Sequence, residues 1–176
     1  ELSIVLSRLV QALDITIVAR TMPRPVGTWS IARPAASSCG DDVNLAPSTV
    51  DPTDGSTAAA LVVSRRNRGS LVAFQVRGID RAVAGTGTGA HVHAGPCVAG
   101  DGAAAGPHYN STGGAVVGPS TEVWLDFTVR PDGTALAVAL VPFVVPPGAR
   151  SIVIHAMARM PNGMAGARLA CLPLQL

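Results

Sequence analysis

Lysine is absent from this chain: all thirteen basic residues are arginine, a composition bias rather than a mechanism. Aromatic residues make up only 3% of the 176 residues, so any core must be built from Val, Ala and Leu. Charge is also sparse, at 14% of residues with a formal net charge of +2, and no basic cluster is interleaved with aromatics. That pattern argues against a nucleic-acid-binding surface. There is no phosphate-cradling P-loop and no Gly-x-Ser-x-Gly elbow; Gly85-Thr-Gly-Thr-Gly89 is glycine-rich but lies among strands and precedes no helix. Leu2, Val5, Leu6, Leu9, Leu13 and Ile17 follow helical spacing. Arg8 and Asp14 interrupt that segment and make it a poor membrane span. The chain opens on Glu1 rather than Met, as a trimmed or mis-started N-terminus would.

Glycine and proline are abundant, at 19 and 14 residues, and punctuate short apolar runs. The pattern predicts an all-β domain with many turns. Residues 21 to 55 are rich in Pro, Ser, Asp and Thr and read as linker, so 1–55 is expected to be an export and linker segment and 56–176 the β-domain. Strands are expected over 57–63, 70–76, 91–93, 122–129, 134–144, 152–155 and 167–172. The first two form a hairpin in which Val72, Phe74 and Val76 share one face and Leu71, Ala73 and Gln75 the other. Residues 94 to 114 read as loop.

Histidine is scarce too. Of four in the chain, three fall in Gly89-Ala-His91-Val-His93 and Gly106-Pro-His108; the fourth is His155 in Ser151-Ile-Val-Ile-His155. On a strand, residues two apart share a face, so His91 and His93 point together and Val92 points away. Paired imidazoles on one face are half of a metal site, since imidazole suits copper, zinc, iron and nickel. The alternative is two surface histidines on an edge strand. Cys97 and Cys171 are two of three cysteines, an odd count.

The segment Gly89-Ala-His-Val-His with Cys97 and Ala105-Gly-Pro-His108-Tyr-Asn resembles the copper-ligand region of the Cu,Zn superoxide dismutases. Gly163-Met-Ala-Gly-Ala-Arg168-Leu-Ala-Cys171 resembles that family's second signature, and Ile152-Val-Ile-His155 the strand carrying its last copper ligand. The resemblance spans roughly Ser56 to Leu174. It implies a Greek-key β-barrel or sandwich, with His91, His93, His108 and His155 as copper ligands. It implies His108 as the ring that bridges to zinc and passes a proton, and Arg168 as the guide for the superoxide anion. It also implies a Cys97–Cys171 disulfide, closing a loop of about 75 residues worth about 4 kcal/mol, and hence an extracytoplasmic location, secreted, periplasmic or on the cell envelope.

The sequence departs from the family in two places. Residues 111–121, where further zinc ligands are expected, contain no His, Cys or carboxylate. A structural zinc needs four ligands, so the expectation is a copper-only site. Glu122 or Asp126 would then orient a ligand imidazole from outside; the alternative is a pair of exposed strand carboxylates. The segment 156–167 is short, with Arg159 as its only charge, which predicts a more open site. Ala36-Ser-Ser-Cys39-Gly-Asp-Asp42 faintly resembles a lipoprotein attachment site, so Cys39 is a candidate membrane anchor; the alternative is an unpaired loop thiol. Three functions are compatible: a copper-only superoxide dismutase, a non-catalytic copper-holding or copper-delivering module, and a purely structural β-domain.

Overall fold

The computed structural model describes residues 36–41, 43–46, 50–65 and 69–176. The expected helical segment over 1–20, most of the linker and the centre of the 65–69 turn lie outside the described residues.

Among the described residues, ten strands make two four-stranded antiparallel sheets and a small ribbon. The first sheet runs β1(Ala36–Asp41), β3(Thr57–Arg65), β4(Gly69–Arg77), β8(Ala135–Val141). The second runs β2(Val43–Asn44), β10(Arg168–Pro173), β9(Ser151–His155), β6(Ala90–His93). Strands β5(Gly87–Thr88) and β7(Phe127–Thr128) form the ribbon. The expected hairpin is present, with Thr57 opposite Arg77 and Arg65 opposite Gly69.

The core lies between the sheets. Val72, Phe74 and Val76 of β4 join Val92 of β6, Ile152 and Ile154 of β9 and Leu172 of β10 in one cluster. Each fully buried Val, Ile or Phe stabilises the fold by about 1.5–3 kcal/mol. This is the face assignment that strand alternation predicts for 72, 74 and 76. Ala73 and Gln75, on the opposite face, are also buried.

The structure corrects three local expectations. Within 21–55, which reads as linker, Ala36–Asp41 is a strand, β1, that pairs along its length with β3, Cys39 opposite Ala59. A short polar edge strand lacks the apolar alternation that marks strands in a sequence, so it reads as linker. Within the loop 94–114, Gly102–Ala105 forms a 3-10 turn whose entry is capped by Asp101, which accepts from the Ala103 and Ala104 amides. The run 122–129 is regular strand only at Phe127–Thr128, with isolated bridges from Glu122 to Asn110 and from Trp124 to His91.

The alternation that buries Val92 turns His91 and His93 onto the outer face of the second sheet. Val153 and Cys171 lie on that same outer face, in a second apolar cluster with Leu45 and Ala105. Cys97 packs against this cluster and is bonded to Cys171, 74 residues away. The disulfide thus fastens the 94–106 loop over the sheet. Gly95 is where that loop passes closest to its own return, because a β-carbon there would collide with the Ala104 carbonyl.

Candidate metal centre

All four histidines converge under that loop. Each can offer one nitrogen such that the four lie within 4.8 Å of one another. His91, His93 and His155 are buried, and His108 is half-buried. Sheet register does the placing. His91 and His93 sit opposite Val153 and Ser151 on β9, and His155 ends β9 opposite Arg168 on β10. His108 arrives from the loop through an isolated bridge to His93. Ring centroids of His91 are 4.2 Å from His108 and 5.1 Å from His155. Those of His93 are 4.8 Å and 5.6 Å from the same two rings.

Outer partners fix which nitrogen each ring turns inward. His93 Nδ1 donates to the Gly106 carbonyl at 3.0 Å, and His155 Nδ1 to the Gly166 carbonyl at 3.1 Å. A carbonyl only accepts, so both Nδ1 atoms carry hydrogen and both Nε2 atoms carry lone pairs. Those two Nε2 atoms face each other at 3.4 Å. Two facing lone pairs repel unless an electron-pair acceptor sits beside them. His108 Nδ1 donates to Glu122 Oε2 at 3.0 Å. His91 Nε2 faces Asp126 Oδ1 at 3.5 Å, and neither of its ring nitrogens makes a hydrogen bond. A buried imidazole with both nitrogens unsatisfied is costly. Coordination through Nδ1, with Nε2–H turned to Asp126, would satisfy both. The donor set therefore fits a metal ion bound by four imidazoles.

Burial sets the protonation. It drives His93 down from its ordinary 6.5 to about 3, against the pull of the Gly106 hydrogen bond, with His108, Arg168 and His155 pushing the same way as burial. Burial likewise lowers His155 to about 4, and it lowers His108 as well, where His91 adds to the effect and Glu122 opposes it. These rings are neutral at neutral pH, as ligands must be. The unfolded chain takes up protons below about 6.5 that the folded chain refuses. Stability of the metal-free protein should thus be fully present above 6.5 and be lost as the pH falls toward 4 and then 3. Urea midpoints at pH 7.5 and pH 5 should show the lower value at pH 5; equal midpoints would contradict these shifts.

Each candidate carboxylate faces one of the four rings, Glu122 the His108 ring and Asp126 the His91 ring. Burial pushes the Glu122 carboxyl up, but hydrogen bonds from Trp124, Asn110 and His108 outweigh it and hold it ionised. Asp126 is likewise held below the usual carboxylate range: burial opposes, but His91 and Arg159 prevail. Arg159 Nε donates to Asp126 Oδ2 at 2.6 Å and its guanidinium lies 3.7 Å above the Trp124 ring. Trp124 in turn donates to Glu122 Oε2 at 2.9 Å. Glu122, Trp124 and Asp126 share the face turned to the histidines, while Val123 and Leu125 between them are buried in the core. Trp124 and Arg159 were not anticipated as partners; the alternation of 122, 124 and 126 is the signal that could have found Trp124. Glu122→Gln should weaken metal binding about 10–100-fold, because a neutral amide orients His108 less firmly. Isothermal titration against the wild type checks this, and equal affinities would count against Glu122.

Arg168 is anchored by Nη1 to the Gly102 carbonyl at 2.6 Å and Nη2 to the Gly106 carbonyl at 2.7 Å. The Gly106 oxygen therefore serves both Arg168 and His93. A cavity of about 390 Å³ opens here, lined by His108, His155, Glu122, Met164 and Arg168 among others.

The fold is shared with solved structures. The clock protein EA4 superposes with a TM-score of 0.57 at 14% identity, over 84% of this chain and 97% of that one. A double mutant of a SOD-like protein from Bacillus subtilis superposes with a TM-score of 0.53 at 19% identity, over 79% of this chain and 99% of that one. No family model and no curated protein matches the sequence. The described residues form an all-β sandwich with the fold of that SOD-like protein. At such identities the likeness speaks for the fold, and the function must be argued from the site.

Proposed function

We propose that this protein is a copper-dependent superoxide dismutase, converting two superoxide ions and two protons to oxygen and hydrogen peroxide. One observation carries the reading: four imidazoles converge, three of them tied to an outer hydrogen-bond partner and the fourth facing a carboxylate. Bound copper would supply one-electron exchange in both directions, which zinc cannot do.

The protein's own groups do the rest. His91, His93, His108 and His155 would hold the ion. The Arg168 guanidinium, always charged and fixed by two carbonyls at the cavity wall, can receive a small anion. Its field would raise the encounter rate with superoxide. His108 lines the same cavity with Nδ1 committed to Glu122, which leaves Nε2 as its ligand atom and, whenever that nitrogen is free of the ion, as the atom that can take and give a proton. Residues 111–121 bring no ligand for a second metal, and the four histidines are the single His, Cys, Asp or Glu group of this kind among the described residues. We therefore assign the centre to copper alone. The disulfide supports an extracytoplasmic location.

A second reading keeps the copper and drops the turnover: a module that holds or delivers the ion. Its support is the sharing of this fold with a clock protein. The test is to load the full chain with copper and follow superoxide consumption, with His155→Ala as control. Turnover that the control lacks supports the dismutase; tight copper binding without turnover supports the holding module. Metal analysis after zinc exposure of the copper-loaded chain should find no zinc, and one zinc per chain would overturn the copper-only assignment.

A further inference from the structure

Three of the chain's four methionines lie in the short segment that joins His155 to Arg168. This segment is a hairpin. Ala156 N donates to Ala167 O, Met157 N to Ala165 O and Met160 N to Met164 O, and Gly163 N closes the turn onto Met160 O. Met160 and Met164 are therefore cross-strand neighbours at its tip, and side chains so placed lie within reach of each other. Met157, Met160 and Met164 are 54%, 39% and 61% exposed. Methionine is ordinarily a buried residue, so three exposed together call for a reason other than packing.

Position supplies one. Met164 lines the cavity beside His108, His155 and Arg168. Met157 Sδ lies over Gly166, 3.0 Å from where a β-carbon would stand, and the Gly166 carbonyl anchors His155. The one charge in the hairpin, Arg159, is turned to Asp126 and Trp124. The cation that shares the cavity with Met164 is Arg168, and its guanidinium is held by the Gly102 and Gly106 carbonyls. Thioether sulfur is a soft ligand that selects Cu(I), whereas imidazole accepts copper in either state. Leucine or valine would cover the same surface without a lone pair to offer.

We propose that Met157, Met160 and Met164 form a second, soft-metal site, taking a monovalent ion of the Cu(I) class at the rim of the cavity. As an entry point for copper bound for the histidines, it rests on the copper reading above; as a site for a soft ion, it stands on the methionines alone.

Ag(I), of the same charge and softness but without redox chemistry, is the probe. The full chain, labelled at the methionine methyl carbons, is titrated with Ag(I) in chloride-free buffer and followed by NMR. The signals of Met157, Met160 and Met164 should move together and saturate, while that of Met22, outside the hairpin, stays put. A Met160→Leu/Met164→Leu chain keeps side-chain volume on an exposed surface. It should take up one Ag(I) fewer than the wild type, or bind it at least about tenfold more weakly, since leucine offers no donor. Unmoved Met160 and Met164 signals at saturating Ag(I), or equal uptake by both chains, would overturn the proposal. Cu(II) titration followed by electron paramagnetic resonance reports the histidine centre separately. Shifted methionine signals with no Cu(II) bound would sink the copper reading and leave the soft-metal site standing. Bound Cu(II) with unmoved methionines would do the reverse.

Discussion

The His155→Ala chain is expected to lose copper affinity by at least about 100-fold, and measurable superoxide consumption with it, since deleting a ligand costs more than deleting the residue that orients one. His155 ends β9, is buried, and brings Nε2 to 3.4 Å from His93 Nε2. Removing it leaves three rings and opens the inner wall of the cavity. The folded chain should survive, because the ring lies outside the apolar core between the sheets. A companion His155→Gln chain, closer in volume, separates loss of the ligand from loss of packing: both variants should show the same loss of affinity. Copper affinity by competition with a chelator checks this, and affinity within a few-fold of wild type in either variant would contradict the assignment.

The second large effect concerns the loop rather than the ligands. A Cys97→Ala/Cys171→Ala chain should be destabilised by about 4 kcal/mol in the chain-entropy view of a crosslink 74 residues apart. Replacing both cysteines avoids leaving a free thiol. The effect should reach the centre as well. The loop fastened by Cys97 carries Gly106, whose carbonyl holds both His93 and Arg168, and leads into His108. Urea unfolding should show a lower midpoint, and copper affinity should fall in parallel. A loss of under about 1 kcal/mol would mean that the second apolar cluster, not the disulfide, holds the loop down.

The core strands were legible in the sequence because their two faces differ: Val72, Phe74 and Val76 face inward and alternate with residues turned the other way. The pairing of His91 with His93 followed from the same two-residue period. The convergence of His108 and His155 with them came from the family resemblance, since neither period nor spacing can bring residues so far apart in sequence together. Three things stayed hidden. Strand β1 pairs through its backbone, a contact that leaves no side-chain pattern to read. The Asp101-capped turn replaces apolar periodicity with one local carboxylate. The Trp124–Arg159 stack joins two segments that meet only once the sheet is built, and Arg159 by itself looks like any surface arginine. Glu122 and Asp126 read as a choice between two carboxylates; in three dimensions each faces a different ring.

The central claim is that the four imidazoles close on one ion, and counting bound nitrogens tests it most directly. Pulsed electron paramagnetic resonance of the Cu(II)-loaded wild-type chain, paired with X-ray absorption at the copper edge, should report four imidazole nitrogens. The same spectra of His155→Ala should report fewer, with much of the ion lost. A wild-type spectrum with two or fewer imidazoles, unchanged by the substitution, would contradict the account.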